Sequence, residues 1–557
     1  MLIMSNSFFS THGQLLKDAV AAIEKRTYWS AFPEIPSGKI YGETANENGK
    51  AAFESRLRQP YPLTLPSTVG QTGSERSPYG FALEITYPKV DLDPLLKTVL
   101  AAQKQWRAAD PETWAGVSLE ILQRLNRRSF EMAYAVMHTT GQGFMMAFQA
   151  GGPHAQDRGL EAVAYAWTEI NHVPKTAYWE KPQGKNEPLK LNKQFKVVPR
   201  GIGLVIGCST FPTWNAYPGL FANLVTGNAV IVKPHPSAIL PLAITVEIAR
   251  QVLAEAGFDP NIVTLVAHDP DDDTPQKLAL RPEIKIIDFT GSTKNGEWLE
   301  KQARQATVYT EKAGVNQVVI DSTNDFAGMV KNLAFSVSLY SGQMCTAPQN
   351  FYIPKNGVDT ADGHLSFDQV VQGLVDSLNK LLGDSGRAVE ILGAIQSDAT
   401  LDRLEAARKL GKLVCDTKTV AHPQFPDASV RTPLVVQLAA SDHDYYLQEC
   451  FGPVVFVIPA DTSEQALELA RMTSLRCGSL TFAVYSTKES ILNAANEIAA
   501  EAGVSLSCNL TGGVYVNQSA AFSDYHGTGA NPAANASLTD SAFVANRFRI
   551  IETRIPV

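Results

Sequence analysis

An α/β fold built on a doubly wound sheet is predicted by three observations on this chain of 557 residues. Short apolar runs bounded by Gly and Pro begin near residue 197, segments with helical spacing separate them, and a second series of the same kind starts near residue 317. Such runs are typical of parallel strands buried on both faces, and their alternation with helices favours a doubly wound sheet.

The individual elements follow from this pattern. The stretch to about residue 60 is rich in Gly, Pro and Ser, which predicts an irregular arm, whereas residues 92–148 repeat apolar side chains at helical spacing after a start at Asp93 and Pro94. The first series has strands at 203–207, 229–232, 262–266 and 284–289 and a helix at 243–256. The second series has strands at 317–320, 349–353 and 454–458 and helices at 327–340 and 367–382.

Composition excludes several classes of protein. A net charge of −8 argues against a nucleic-acid surface, and no apolar run approaches the length of a membrane span. The first nine residues contain no basic residue, so they do not predict a secretory signal. Six dispersed cysteines without a CxxC motif indicate a reducing cytoplasm, and ten dispersed histidines predict no metal site.

The pair Glu311 and Cys345 is the strongest chemical feature. A cysteine between small polar residues is usually a small buried hydrophobe, because reactivity requires a lowered pKa and access. A thiol nucleophile with a carboxylate base, however, is the pair needed to oxidise an aldehyde through a covalent thioester. The ordered motifs around these two residues favour that second interpretation.

Residues 289–296 are the better of two glycine-rich candidates for a cofactor loop. Residues 201–207 have the wrong spacing for a dinucleotide fingerprint and lie inside a predicted strand. Gly291 and Ser292 instead follow a strand and precede a predicted helix, where free N–H groups suit a pyrophosphate. An ordinary glycine turn with a Ser cap remains the alternative.

From about residue 195 to 530 the chain resembles the aldehyde dehydrogenase superfamily. The motifs in chain order are Phe211-Pro212, Thr226-Gly227-Asn228 with Lys233-Pro234, Phe289-Thr290-Gly291-Ser292-Thr293, Glu311 with Gly314 and Asn316, Gly342-Gln343-Met344-Cys345, and Glu449-Cys450-Phe451-Gly452-Pro453. Residues 311–316, 343–350 and 525–529 are most similar to the phenylacetate-degradation PaaN branch. That branch is implicated in handling the semialdehyde formed when a CoA-linked aromatic ring is opened.

The resemblance implies a role for each motif residue. Cys345 would attack the aldehyde as a thiolate, its backbone N–H would help to hold the oxyanion, and Glu311 would activate the hydrolytic water. The other implied contacts are Lys233 with the adenosine ribose, Gly291 and Ser292 with the pyrophosphate, Glu449 with the nicotinamide ribose, Phe451 beside it, and Phe211 in the substrate channel.

Two positions depart from the family pattern. A gapless count places Thr210 where the family has its oxyanion-hole asparagine, and Asn215 is the nearby amide that could replace it after a local rearrangement. Pro236 stands where NAD-preferring members often carry a glutamate, so a 2′-phosphate is not repelled and His235 is an extra donor. We therefore expect NADP or NAD as cofactor, with NADP favoured.

The combined prediction is a cytoplasmic NAD(P)-dependent aldehyde dehydrogenase with three domains. These are a cofactor domain (residues 1–180 and 201–311, with an N-terminal helical region), a catalytic domain (312–504), and a β oligomerisation element (181–200 and 505–557) that makes a homodimer or homotetramer. A CoA-acylating reductase is the first alternative, which Glu311 opposes. A catalytically silent binding or scaffold protein is the second, which Thr210 supports and the pair of Cys345 and Glu311 opposes.

Overall fold

The computed structural model describes residues 2–557, with side chains from residue 7 onward, as a mixed α/β protein. Its α-helices span Leu2–Lys25, Gly38–Tyr41, Ala45–Glu54, Leu92–Ala108, Pro111–Arg127, Ser129–Thr140, Phe144–Gly151, Pro153–Asn171, Pro212–Val225, Leu240–Glu255, Thr274–Ala279, Thr293–Gln302, Phe326–Ser338, Phe367–Leu381, Ser385–Leu392, Asp398–Ala407, His443–Tyr446, Ser463–Cys477, Glu489–Ala502 and Ser541–Ala545. Short 3-10 helices span Pro260–Ile262 and Leu339–Gly342.

A parallel sheet of five strands carries the first series of predicted strands. From one edge to the other, the strands are Val263–Leu265, Ala229–Lys233, Ile202–Ile206, Ile284–Thr290 and Thr307–Glu311. The earliest strand of the sheet is central and the later ones are added outward on both sides, which is the doubly wound order that the sequence predicts. The strand order reverses beside this central strand, and ligands of such sheets bind where the strands end at that point.

A second sheet of seven strands confirms the second series. Its strands, in spatial order, are Lys412–Cys415, Leu434–Gln437, Val454–Ala460, Pro348–Pro354, Asn316–Ile320, Thr481–Tyr485 and Ser505–Cys508. All of its pairs are parallel except the first, which is antiparallel. Smaller sheets are formed by Thr68–Thr72 with Tyr87–Val90, and by Ser322–Thr323, Val358–Thr360 and Gly363–Leu365.

The third main sheet is antiparallel and largely exposed. Asn186–Pro199 pairs on one side with Thr176–Gln183, as a hairpin, and on the other side with the C-terminal strand Phe548–Pro556. The C-terminal strand is anchored to the five-stranded sheet, because buried Arg547 forms a 2.6 Å ion pair with Asp288. The hairpin and the C-terminal strand thus share one sheet, while the assignment of this sheet to oligomerisation stays a prediction.

The predicted irregular N-terminal arm is wrong. Leu2–Lys25 and Ala45–Glu54 are helices, and the first packs on Pro111–Arg127 and Pro153–Asn171. The ring centroids of Phe9 and Trp167 lie 5.1 Å apart in this contact, with the rings tilted at 39°, and Leu16 is buried. The content of Gly, Pro and Ser suggested an irregular arm. It concealed the first helix because the buried stripe of that helix is narrow and most of its other side chains face solvent. In the described residues, no helix is long and apolar enough to span a membrane.

Candidate active site

Cys345 lies in a loop between a helix and a central strand of the seven-stranded sheet. Before it, Tyr340, Ser341 and Gly342 all have positive φ angles, of 53°, 49° and 62°. Such a backbone costs free energy in Tyr and Ser, and it persists only where the surroundings enforce it, typically at functional sites. Here the Ser341 hydroxyl donates to the carbonyls of Leu392 and Arg431 at 3.0 and 3.1 Å.

Asn316 holds the same loop from the other side. Its amide nitrogen donates to the carbonyl oxygens of Cys345 and Ala347 at 2.8 and 3.0 Å. Its amide oxygen accepts from the backbone N–H groups of Leu480 and Thr481 at 2.9 and 3.0 Å. The nitrogen and the oxygen of this buried amide are therefore both hydrogen-bonded, and they fix the backbone of the loop that presents the Cys345 thiol.

Glu311 comes to Cys345 from the other large sheet, where it is the last residue of an edge strand. One carboxylate oxygen lies 3.2 Å from His526 Nε2, and the other accepts a 3.1 Å hydrogen bond from the Asn215 amide. His526 Nε2 is also 3.7 Å from Cys345 Sγ. The thiol, imidazole and carboxylate atoms all lie within 4.8 Å of one another. Trp214 packs edge-on against the imidazole at 4.6 Å.

The charges in this centre act in opposite directions. Burial, followed by the nearby carboxylate of Glu311, raises the pKa of the Cys345 thiol well above its usual range. Burial also raises the pKa of Glu311, but the charge and hydrogen bond of His526, with the hydrogen bonds of Cys345 and Asn215, outweigh it, so the pKa of Glu311 is lowered overall. Glu311 is thus an ionised carboxylate at neutral pH, although only 3% of it is exposed.

The two candidate oxyanion donors have different neighbours. Asn215 donates to Glu311, as described above, and the Thr210 hydroxyl faces the thiol of Cys208. The backbone carbonyl of Thr210 accepts a 2.8 Å hydrogen bond from Gln142, which fixes the loop before the helix Pro212–Val225. Which of the two donates to the oxyanion therefore stays a prediction.

Phe211 lies in an apolar cluster directly beside the nucleophile loop. Its ring packs edge-on against Tyr340 at 5.8 Å. The other members of the cluster are Ala150, Met146, Cys208, Trp214 and Met344. Because Met344 precedes Cys345, this cluster lies beside the nucleophile loop, while the role of Phe211 in a substrate channel stays a prediction.

Lys233 ends the strand next to the central strand of the five-stranded sheet, and His235 and Pro236 follow it. Lys233 is 5% exposed, and burial lowers its pKa to about 8. Pro236 is buried, whereas His235 is exposed and bonds Ser237 through Nδ1 at 2.7 Å. Buried His268 lies on the loop after the neighbouring strand, and burial followed by the charge of Lys233 lowers its pKa to about 4.

Gly291 and Ser292 lie at the end of the strand on the opposite side of the central strand. Ser292 is the N-cap of the helix Thr293–Gln302, and its hydroxyl accepts from the N–H of Asn295 at 3.4 Å. The capping role considered from the sequence is therefore present. It leaves other N–H groups of the first turn free for a pyrophosphate, so the two roles are compatible.

Glu449 and Phe451 reach the cleft from the seven-stranded sheet. Half-buried Glu449 accepts a hydrogen bond from the backbone of Gly314, and its pKa is raised to about 7 by burial, against the opposing charge of Arg403. Arg403 also donates to the Phe451 carbonyl at 3.0 Å. Glu449 thus contacts the segment between Glu311 and Asn316, and its contact with the nicotinamide ribose stays a prediction.

Sequence reasoning missed the part that His526 and Trp214 play. His526 belongs to a motif that had indicated a family branch, yet nothing in the sequence pointed to its partners, which lie 215 and 181 residues earlier in the chain. The sequence offered one signal for Trp214, namely its position immediately before Asn215, the residue considered as an oxyanion donor. The expectation that no metal takes part stays a prediction.

Comparison with known proteins agrees with this arrangement. The model of the aldehyde dehydrogenase family matches residues 86–530. The chain belongs to the aldehyde dehydrogenase family. A crystal structure of an NAD-dependent aldehyde dehydrogenase from Burkholderia multivorans is 62% identical, covers 99% of both chains, and superposes with a TM-score of 0.97.

More distant relatives share the fold. A 1-pyrroline-5-carboxylate dehydrogenase from Bacillus cytotoxicus is 24% identical over 471 residues, which are 81% of this chain and 86% of the relative. A structure of the Thermus thermophilus enzyme of that name is 20% identical, covers 95% of this chain and 99% of the other, and has a TM-score of 0.75. The protein is an NAD(P)-dependent aldehyde dehydrogenase.

Proposed function

We propose that this aldehyde dehydrogenase converts its substrate to a carboxylic acid through a thioester on Cys345. Water hydrolyses this thioester, with Glu311 as the general base. The observation that carries this proposal is the meeting of Glu311 and Cys345, from two different sheets, beside strand ends suited to a dinucleotide. The Cys345 thiolate attacks the aldehyde carbon, and the Glu311 carboxylate takes a proton from the attacking water. A bound nicotinamide cofactor would supply the hydride acceptor. Lys233, Gly291, Ser292 and Glu449 would hold the cofactor.

We also propose a CoA-linked semialdehyde from aromatic ring degradation as the substrate. The three segments that resemble the PaaN branch contribute Glu311, Cys345 and His526, and these residues meet at one point. The branch resemblance therefore concerns the groups around the reacting carbon and not a distant surface. A CoA tail also offers remote binding energy that the enzyme can use in the transition state.

The substrate proposal is tested by comparing kcat/KM for a CoA-thioester semialdehyde with kcat/KM for benzaldehyde. The same semialdehyde on pantetheine is the matched control, because it keeps the reacting end and removes the nucleotide. We expect the CoA substrate to have the highest kcat/KM and truncation to lower kcat as well as raise KM. Equal or higher efficiency with benzaldehyde would reject the CoA-linked substrate and leave the broader function intact.

For the cofactor, we propose that NADP binds at least as well as NAD. Buried Pro236 replaces an acidic side chain, and Lys233 supplies the positive charge at this end of the cleft. Burial lowers the pKa of both His235 and His268 to about 4, so these two residues offer neutral imidazoles as hydrogen-bonding groups. The related Burkholderia multivorans enzyme is described as NAD-dependent, so NAD is the necessary comparison. Paired fluorescence titrations measure both affinities, and a preference for NAD beyond about tenfold, or about 1.4 kcal/mol, contradicts the proposal.

The proposed assembly is a homodimer or homotetramer in the cytoplasm. The antiparallel sheet of Thr176–Gln183, Asn186–Pro199 and Phe548–Pro556 supports it, because its exposed side chains include Tyr178, Leu189, Ile551 and Ile555. Light scattering of the full chain measures the state. All six cysteines are free thiols, in keeping with a reducing compartment.

A CoA-acylating reaction is the alternative that the same site permits. There, CoA would resolve the thioester in place of water, and no hydrolytic base would be needed, because a thiol ionises far more readily than water. The position of ionised Glu311 beside the thiol favours hydrolysis. Product analysis with and without CoA decides: a free acid formed at the same rate in both supports hydrolysis, whereas an acyl-CoA product supports the alternative.

A further inference from the structure

His526 is the group at the catalytic centre to which no function has yet been given. Only 4% of its side chain is exposed, and Nε2 is the atom that faces both Cys345 Sγ, at 3.7 Å, and a Glu311 oxygen, at 3.2 Å. One ring nitrogen thus lies between the nucleophile and the base. The edge-on ring of Trp214 restricts rotation of the imidazole, so both contacts are held together.

We propose that His526 takes the proton of the Cys345 thiol, so that the nucleophile is a thiolate–imidazolium pair stabilised by Glu311. This inference rests on the proposed function of Cys345 as nucleophile. An imidazolium satisfies both contacts at once, because its Nε2–H lies between two anions. A neutral thiol in the same place has no favourable way to ionise, because burial and the carboxylate both oppose a second negative charge.

The protons and electrons of the cycle balance with this pair. The Sγ–H bond breaks and its proton goes to Nε2, while Nδ1 keeps its own proton. The sulfur electron pair forms the C–S bond, and the carbonyl electron pair moves to oxygen. A bound NAD(P) would accept the hydride and leave a thioester on Cys345. Glu311 then accepts a proton from water, hydroxide adds to the thioester carbon, and the C–S bond breaks. The leaving thiolate meets the imidazolium again, and Glu311 and the acid product release their protons to solvent.

The other charges near His526 do not supply an alternative explanation for an ionised thiol. Several titratable or charged groups lie on the elements that pack around His526. They are Glu311, Cys345, Cys208, Glu449, Asp524, the pair Arg158 and Glu161, and the pair Tyr525 and Arg26. Cys208 stays neutral at working pH, because burial raises the pKa of its thiol to about 11. Arg158 lies behind Trp214, 5.3 Å from the ring centroid, and forms a 2.7 Å ion pair with Glu161.

The test is the rate at which iodoacetamide alkylates Cys345 in the full chain between pH 5.5 and 10, without substrate or cofactor. Peptide mass spectrometry separates the cysteines, and exposed Cys508 is the internal reference for intrinsic thiol reactivity. The variant is His526→Gln. The matched control is His364→Gln, which removes an exposed histidine bonded to Asp359 at 2.7 Å on a small surface hairpin.

We expect His526→Gln to slow alkylation of Cys345 at pH 7 by at least about tenfold and to move the midpoint of its pH profile upward. The rates of wild type and variant should converge near pH 10, and Cys508 should react alike in all proteins. Turnover at pH 7 should fall by about a hundredfold. A purely structural histidine would leave the alkylation midpoint where it is, and an unchanged midpoint overturns the proposal.

A second measurement keeps the proposal testable even if the His526→Gln protein does not fold. Thiolate absorbance near 240 nm, taken as wild type minus Cys345→Ala, reports the ionisation of this one thiol. We expect the thiolate signal to be present already at pH 7, well below the ordinary thiol midpoint near pH 8.5. A midpoint above about pH 9 would contradict the pair. Full turnover by Cys345→Ala would instead reject the function of Cys345 itself.

Discussion

The proposed cofactor cleft and the proposed catalytic centre are assembled from the chain in different ways. The cleft takes Lys233 and Ser292 from strands on either side of the central strand of one sheet, so their positions follow from the sheet order. The catalytic centre joins Glu311 to Asn215 across 96 residues and to His526 across 215. A doubly wound sheet positions the first set by its topology, while the second depends on how two sheets and a C-terminal loop meet.

The two regions also differ in how they compensate buried charge. Burial lowers the pKa of Lys233 to about 8, which describes a cation that lacks a counter-charge until a ligand supplies one. Glu311 is just as buried, yet its pKa is lowered because His526 and Asn215 offset the burial. We therefore expect the charge of the cleft to respond to a bound cofactor, whereas the groups of the catalytic centre already contact one another without a substrate.

Replacement of the nucleophile should produce the largest effect and confirm that the two regions work independently. We expect Cys345→Ala to abolish turnover, because no other thiol reaches the carboxylate, while the affinity for NADP stays within about twofold. Cys208→Ala is the matched control and should retain turnover, since Cys208 is also partly buried and lies in the apolar cluster beside the nucleophile loop. Steady-state rates and cofactor titrations measure both variants. Wild-type turnover in Cys345→Ala would show that this mechanism is wrong.

Removal of the base should separate the two chemical steps. In Glu311→Gln, hydride transfer continues but water is no longer activated, so a burst of NAD(P)H close to one equivalent should precede slow turnover. Stopped-flow absorbance gives the burst, and intact-protein mass spectrometry should find the acyl adduct on Cys345. Glu449→Gln is the control carboxylate, and it should form no stable adduct. A steady-state rate equal to wild type would favour CoA acylation or another base.

The fold was predictable where the side chains of a single segment indicate whether that segment is buried. The strands around Ile202–Ile206 carry apolar side chains on both faces, and a strand buried on both faces must do so. Glu311 and Cys345 were found because their local motifs match a family pattern. The N-terminal helix was missed because its core stripe is narrow. His526 was missed because its function comes from contacts, and the loop that carries it is fixed by distant partners, including two backbone hydrogen bonds with Leu538.

A smaller effect on the rate should show which residue of the catalytic centre donates to the oxyanion. We expect Thr210→Val to lower kcat and kcat/KM together by about a hundredfold, because a preorganised donor acts mainly in the transition state. Asn215→Ala should preserve the NAD(P)H burst and slow the steady state, because its amide orients Glu311. Burst and steady-state kinetics of both variants distinguish these effects. A silent Thr210→Val with a lost burst in Asn215→Ala would make Asn215 the donor.

The smallest expected effect is a pH dependence confined to the cofactor cleft. Because burial lowers the pKa of Lys233 to about 8, its charge is present below that pH and is lost as the pH rises through it. NADP affinity should therefore fall by about tenfold between pH 7 and pH 9, the worth of a hydrogen bond to a charged group. Lys233→Gln should bind NADP more weakly at pH 7 and lose this dependence on pH.

His268→Asn is the control for this prediction and should keep the fall in affinity. His268 does not titrate between pH 7 and pH 9, because burial lowers its pKa to about 4. An equally steep fall in Lys233→Gln would assign the titration to another group and would remove Lys233 from the proposed cofactor contacts.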